Sequence, residues 1–194
     1  MIRKAAVRAL LAIVATLPLG ACGATPAQMG GGAAVREQEG QGSLADPRVL
    51  TCANRNGFVE EDENTLLASI SPEDFVEGPL VIPGLLAWGT ARPEEYGSGN
   101  HFKVGAVVRK GGKVTLSIPE EFHESAGLLY AEAARTATDP AGADHSVTFV
   151  ACDDHDTLFV GGFHVLAPRC VPFDIAVPGR PVVRKKISFF DGKC

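Results

Sequence analysis

The chain has 194 residues, 45 % of them hydrophobic, and a formal net charge of −5. That length suits one domain with additions, and that apolar content excludes a chain disordered throughout. No basic block exceeds the short run Arg184-Lys185-Lys186, so the counterion-displacing face that nucleic-acid binding needs is excluded.

The N-terminus reads as an address. Arg3, Lys4 and Arg8 form a positive start, and Ala9 to Leu17 an apolar stretch of nine residues. A bilayer-spanning helix needs about 20 residues, so nine fits the core of a signal peptide instead. The stretch Leu19-Gly20-Ala21-Cys22 resembles the lipobox of bacterial lipoproteins. The resemblance implies cleavage before Cys22 and acylation of that cysteine, palmitate being the expected kind of chain. Ordinary secretion, with cleavage after Ala24, is the alternative. Cleavage before Cys22 removes three bases and no acids, leaving 15 bases against 23 acids and a charge of −8. Attachment would then come from the acyl chains, because an acidic domain is repelled by an anionic leaflet.

Residues 22–47 read as the lipidated cysteine and a flexible tether, rich in Gly, Ala and Gln and poor in large apolar side chains. Such a segment cannot offset its own ordering entropy. A single β-sandwich domain is expected over 48–194. Its runs are short, often alternating, and dominated by Val, Ile, Phe and Thr, as strands are. In "LVIPGLLAWGTA" (80–91) a strand is broken by Pro83 and Gly84. "FKVGAVV" (102–108) and "KVTLSI" (113–118) flank "RKGGK", a Gly-Gly hairpin signal. "SVTFVAC" (146–152) and "TLFVGGFHV" (157–165) flank the turn-forming "DDHD", with Gly161-Gly162 expected as a bulge. "CVPFDIAV" (170–177) and "VVRKKISFF" (182–190) flank "PGRP". Turns every 8–12 residues point to a mainly β chain, an antiparallel β-sandwich with Ig-like character.

Helix is confined to one or two short pieces. "EEDENTLLASI" (60–70) has an acidic start suited to a short helix. Residues 119–135 place Phe122, Ala126, Leu129, Tyr130 and Ala133 at helical spacing. Gly127 costs a helix about 1 kcal/mol relative to Ala, which favours a loop followed by a short strand around 127–130. The pattern "FVAC…TLFVGGFHV…CVPFDIAV…ISFFDGKC" resembles a group of uncharacterised exported proteins of high-GC Gram-positive bacteria. The likeness covers about the last 50 residues and implies an exported β-rich domain, with no activity to carry over.

Five cysteines in an exported chain leave one odd. With Cys22 acylated, Cys52, Cys152, Cys170 and Cys194 can form two bridges, of which three arrangements exist. If the last four strands form a meander, Cys152 and Cys170 lie at opposite sheet edges, beyond the reach of about 7 Å between Cα atoms. Cys170 and Cys194 flank one hairpin. Cys52–Cys152 and Cys170–Cys194 are therefore the expected pairs.

Chemistry is thinner. Asp153-Asp154-His155-Asp156 lacks the spacing of a calcium loop. His155 and His164 are nine residues apart, about 30 Å along a strand, too far for one metal. If the "DDHD" hairpin forms, His164 lies opposite Ser146 and beside His145, and that histidine pair is the one weak metal candidate. Nucleophilic catalysis has no Gly-x-Ser-x-Gly elbow behind it; Ser98 and His101 are an isolated coincidence. Glu94-Glu95 and Glu120-Glu121 lack a defined separation across a cleft. Trp88 suits a sandwich core. No catalytic residue and no cofactor is assigned. The expectation is a non-enzymatic binding or structural module on the extracytoplasmic face of the cell membrane. Its partners would be the membrane, through Cys22, and an envelope protein or small ligand. The alternative is an envelope hydrolase.

Overall fold

A computed structural model describes residues 40–55, 67 and 69–194. The lipobox, the tether up to residue 39 and most of the helix expected over 60–70 lie outside the described residues. The protein is mainly β. Thirteen strands form three sheets, with one four-residue α-helix, α1 (Glu132–Arg135), and short 3-10 turns among the described residues. Four domain cysteines form two disulfides, Cys52–Cys152 and Cys170–Cys194, as expected.

One face of the sandwich is a five-stranded sheet. It is built from β1 (Arg48–Thr51), β9 (Ser146–Val150), β7 (Lys113–Ser117), β12 (Arg169–Ala176) and β13 (Val183–Phe189), in that order. All its pairings are antiparallel except β1 with β9. β7 alternates cleanly, with Val114 and Leu116 fully buried between more exposed neighbours, the period of a sheet with one covered face.

The opposite face holds two four-stranded sheets. One orders β10 (Thr157–Phe159), β6 (Ala106–Val108), β3 (Leu80–Ile82) and β2 (Phe75–Glu77); the other orders β4 (Gly97–Ser98), β5 (His101–Lys103), β11 (Gly162–Val165) and β8 (Ala126–Leu128). These two sheets are halves of one long ladder. β10 pairs with β6 and β11 with β5 in the same register, and Val104 N donates to Gly161 O across the gap at 3.1 Å. Val104-Gly105 faces Val160-Gly161, two residues against two. The expected bulge at Gly161-Gly162 is thus a break without an inserted residue.

Aromatic rings fill the space between the faces. Trp88 is 1 % exposed and stacks on Phe190 with centroids 5.6 Å apart. Phe163 of β11 meets Phe173 and Phe189 of the five-stranded sheet at 5.5 and 5.2 Å. Phe149 of β9 meets Phe159 of β10 at 5.0 Å. Each ring buried this way contributes roughly 1.5–3 kcal/mol.

Two of the three expected hairpins do not form. β6 and β7 flank "RKGGK" yet lie in different sheets, as do β9 and β10 around "DDHD". Both turns carry the chain from one face of the sandwich to the other. Only "PGRP" closes a hairpin, β12–β13, with seven paired residues. The expected meander is therefore absent. Cys52–Cys152 forms because β1 and β9 run side by side and end together, Thr51 facing Val150. The second half of 80–91 is a 3-10 turn, Leu85–Thr90, and not a strand. Residues 119–135 form a turn, then β8, then α1, so the loop-and-strand reading holds.

The domain starts before Arg48. Gly42 O accepts from His145 N and Ser146 N at 2.7 and 3.2 Å, and Gly42 N donates to Asp144 Oδ1 at 2.6 Å. Residues 40–47, assigned to the tether from composition, dock on the sheet edge because their backbone groups find partners there.

Candidate functional site

The break in the long ladder opens a hollow. In a strand, neighbouring side chains point to opposite faces. Phe102, Phe163 and Leu128 form one row across β5, β11 and β8 and enter the core. The alternate rows, His101–His164–Gly127 and Lys103–Gly162, belong to the other face. There the chain after β8 returns as α1 and brings Arg135 over the break, where its Nη2 donates to Val160 O at 2.7 Å. The result is a cleft of about 260 Å³ lined by His101, Lys103, Leu129, Arg135, Val160 and the adjoining glycines.

Its electrostatics differ from those of the whole chain. The protein is acidic, but among the described residues the lining supplies Lys103, Arg135 and His101 and no carboxylate. Arg135 is partly buried and meets Glu132 only at a long 3.7 Å, on a rim carboxylate that is 70 % exposed. Lys103 is exposed and makes no ion pair among the described residues. His101 Nε2 lies 3.1 Å from His164 Nδ1, directly across the β5–β11 pair. His164 is buried because Pro140 and Ala143 cover the outer side of Gly127 next to it. Desolvation first, and the neighbouring His101 second, hold its imidazole below the usual histidine range.

The histidine pair expected from sequence, His145 with His164, is not formed as a pair. Each takes a different histidine partner: His164 takes His101, and His145 stacks flat on His123 with centroids 3.6 Å apart. The failed "DDHD" hairpin is the reason, since β9 and β11 belong to different sheets. His145 Nε2 lies 3.0 Å from Pro140 O, and Gln41 Nε2 lies 3.3 Å from His145 Nδ1. Both ring nitrogens thus have partners that suit a neutral ring better than a metal ligand.

"DDHD" behaves as a polar linker. Asp156 Oδ1 accepts from Lys110 N at 2.9 Å, and Asp154 Oδ1 lies 2.7 Å from His155 Nδ1. His155 clusters with Cys52 and Cys152 within 4.8 Å, but both sulfurs are tied in the disulfide and metals bind thiolates. Glu94, Glu95, Glu120 and Glu121 are all exposed on 3-10 turns. Ser98 faces His101 across the β4–β5 hairpin without a hydrogen bond between the side chains.

A second hollow of about 560 Å³ lies at the other end of the sandwich, beside the "RKGGK" and "PGRP" turns. It too is lined by bases, Arg109, Lys113 and Arg180, but it is wider and the Arg109 and Arg180 side chains are exposed. Sequence reasoning passed over Lys103 and Arg135 because they lie 32 positions apart, on β5 and α1, and no local pattern links them. The Gly161-Gly162 pair was the available signal, a break beside which a hollow could open. No family model matches this chain, and comparison with curated proteins and with solved structures finds no significant match.

Proposed function

We propose that the protein is a membrane-anchored extracytoplasmic lipoprotein whose β-sandwich serves as a non-catalytic binding module of the cell envelope. The observation that carries this reading is the use of every domain cysteine in a disulfide. Paired cysteines suit an oxidising compartment outside the cytoplasm, and the pairing leaves Cys22 as the odd cysteine, at the lipobox-like Leu19-Gly20-Ala21-Cys22. Among the described residues no helix is long and apolar enough to cross a membrane, and the acyl chains on Cys22 would supply the attachment. The cleft at the ladder break supports binding over hydrolysis: its lining offers cations and apolar surface, and the Ser98 side chain, opposite His101 in the β4–β5 hairpin, makes no hydrogen bond to the His101 ring. The test is fractionation of cells carrying Cys22→Ala. The wild type is expected in the membrane fraction and the variant in the soluble or secreted fraction; a variant retained in the membrane fraction would count against the anchor.

A further inference from the structure

We infer that the cleft at the ladder break binds a small organic monoanion, a carboxylate with a short apolar body; this rests on reading the domain as a binding module. Three features of the lining set the chemistry. The first is charge. Lys103 and Arg135 carry two positive charges into the cleft, and the rim Glu132 offsets one at 3.7 Å. The balance suits one negative charge better than two. In a chain of net charge −5, a hollow whose charged lining is Lys103 and Arg135 attracts the ion that the rest of the surface repels.

The second feature is fixation. Arg135 is held by its bond to Val160 O at 2.7 Å, so its planar fork is oriented before a ligand arrives. A pre-oriented guanidinium loses little freedom on pairing with a carboxylate, and the pair can be bidentate. His101 is braced in the same way, by His164 at 3.1 Å, which leaves its Nδ1 as a further polar group of the lining. Among the described residues, no hydrogen bond or ion pair braces the side chains of Arg109, Lys113 or Arg180 in the second, wider hollow as Val160 O braces Arg135.

The third feature is shape. Leu129 and Val160 give the cleft an apolar side. Its volume of about 260 Å³ lies just below the roughly 300–1,000 Å³ of drug-sized ligand pockets, which fits a ligand of a few carbons. The carboxylate would sit between Arg135 and Lys103 and the apolar body on Leu129 and Val160.

The experiment is an NMR titration of the isotope-labelled full chain in detergent micelles with three probes: butyrate, butyramide and inorganic phosphate. Butyrate is expected to shift the Arg135 side-chain and Gly161 amide signals saturably. Arg135→Gln and Lys103→Gln are each expected to weaken it about tenfold or more, the usual worth of a hydrogen bond to a charged group. Lys103 is exposed, so its variant tests the charge even where Arg135→Gln disturbs the fold through the lost bond to Val160. Butyramide binding as tightly as butyrate would overturn the anion assignment while leaving a binding module standing. Phosphate binding more tightly than butyrate would overturn the carboxylate assignment. No saturable shift with butyrate, or an affinity unchanged in both variants, would remove the site.

Discussion

The carboxylate of Asp144 accepts from Arg48 Nε and from Gly42 N, each at 2.6 Å, with Arg48 and Asp144 only 2 % and 1 % exposed. Arg48 also donates to Gly40 O. One buried ion pair thus ties β1 and the segment before it to β9. Removing one partner leaves a charge buried without its counterion, which costs about 3–5 kcal/mol, whereas replacing both by apolar residues of similar size is close to neutral. Asp144→Ala should therefore lower stability by about 3–5 kcal/mol in urea titration, and Arg48→Met with Asp144→Leu should recover most of it; equal loss in the single and double variants would count against the ion pair. The neighbouring His145 makes the same edge sensitive to acid. Burial first, and the stacked His123 second, hold its proton affinity down, against smaller opposing effects of Pro140, the His123 backbone and Asp144. A histidine whose folded value lies below its unfolded value of about 6.5 takes its proton more readily in the unfolded chain. Its stabilising contribution is complete above about pH 6.5 and is lost as pH falls toward the folded value. His164, depressed by burial and by His101, acts in the same direction. Thermal midpoints should fall between pH 7.5 and pH 5, and His145→Gln should flatten that slope; an unchanged slope would assign the acid sensitivity elsewhere.

At the scale of elements, the long ladder of β5–β6 against β10–β11 was legible as two apolar runs, but its partners were not. "RKGGK" and "PGRP" both read as hairpin turns, and only the second closes one. The difference lies in the flanking strands. β12 and β13 are eight and seven residues long, β12 being continuously buried only over Val171, Pro172 and Phe173, whereas β6 is Ala106-Val107-Val108 and buried throughout. A continuous apolar triplet signals a strand covered on both faces, and turn chemistry cannot say whether such a strand folds back or crosses to another sheet. The short hairpin β4–β5 went unread although Gly99-Asn100 sits in its turn. Both residues adopt positive φ, 60° and 64°, as a type I′ turn requires. The Gly161 position is the element that the cleft depends on. A Cβ there would lie 2.7 Å from Tyr130 Cα and from its ring, closer than any packed side chain tolerates. Gly161→Ala should cost about 1–3 kcal/mol, the usual range for overpacking, seen as a lower thermal midpoint. It should also weaken butyrate binding, because the break between β10 and β11 must move; a variant with wild-type stability would mean that Tyr130 yields at no cost.

For the whole molecule, the sequence pointed to the right disulfides through a topology that does not exist. Parity and a hairpin around "PGRP" were enough for Cys170–Cys194, and Cys52–Cys152 followed by elimination. What brings Cys52 to Cys152, with Cα atoms 4.9 Å apart, is a parallel pairing of β1 with β9 in which each residue faces one 99 positions later, Thr51 opposite Val150. No local pattern encodes such a pairing, since parallel strands need a long crossover. The two bridges should therefore contribute unequally. Cys52–Cys152 closes a separation of 100 residues and Cys170–Cys194 one of 24. On the chain-entropy account these correspond to about 4.7 and about 3.4 kcal/mol. β1 is a four-residue edge strand with a single neighbour, β9, while β12 and β13 share seven paired residues without help from the bridge. The paired variant Cys52→Ala with Cys152→Ala should then lose more stability in urea titration than Cys170→Ala with Cys194→Ala. Hydrogen exchange should locate the loss: β1 amides, together with those of residues 40–47, are expected to exchange faster in the first variant while β12 and β13 keep their protection. If β1 stayed protected and the larger loss fell on the Cys170–Cys194 variant, the Arg48–Asp144 ion pair would suffice to hold the N-terminal edge. The long-range bridge would then be secondary to the one that closes the C-terminus onto Trp88 and Gly89.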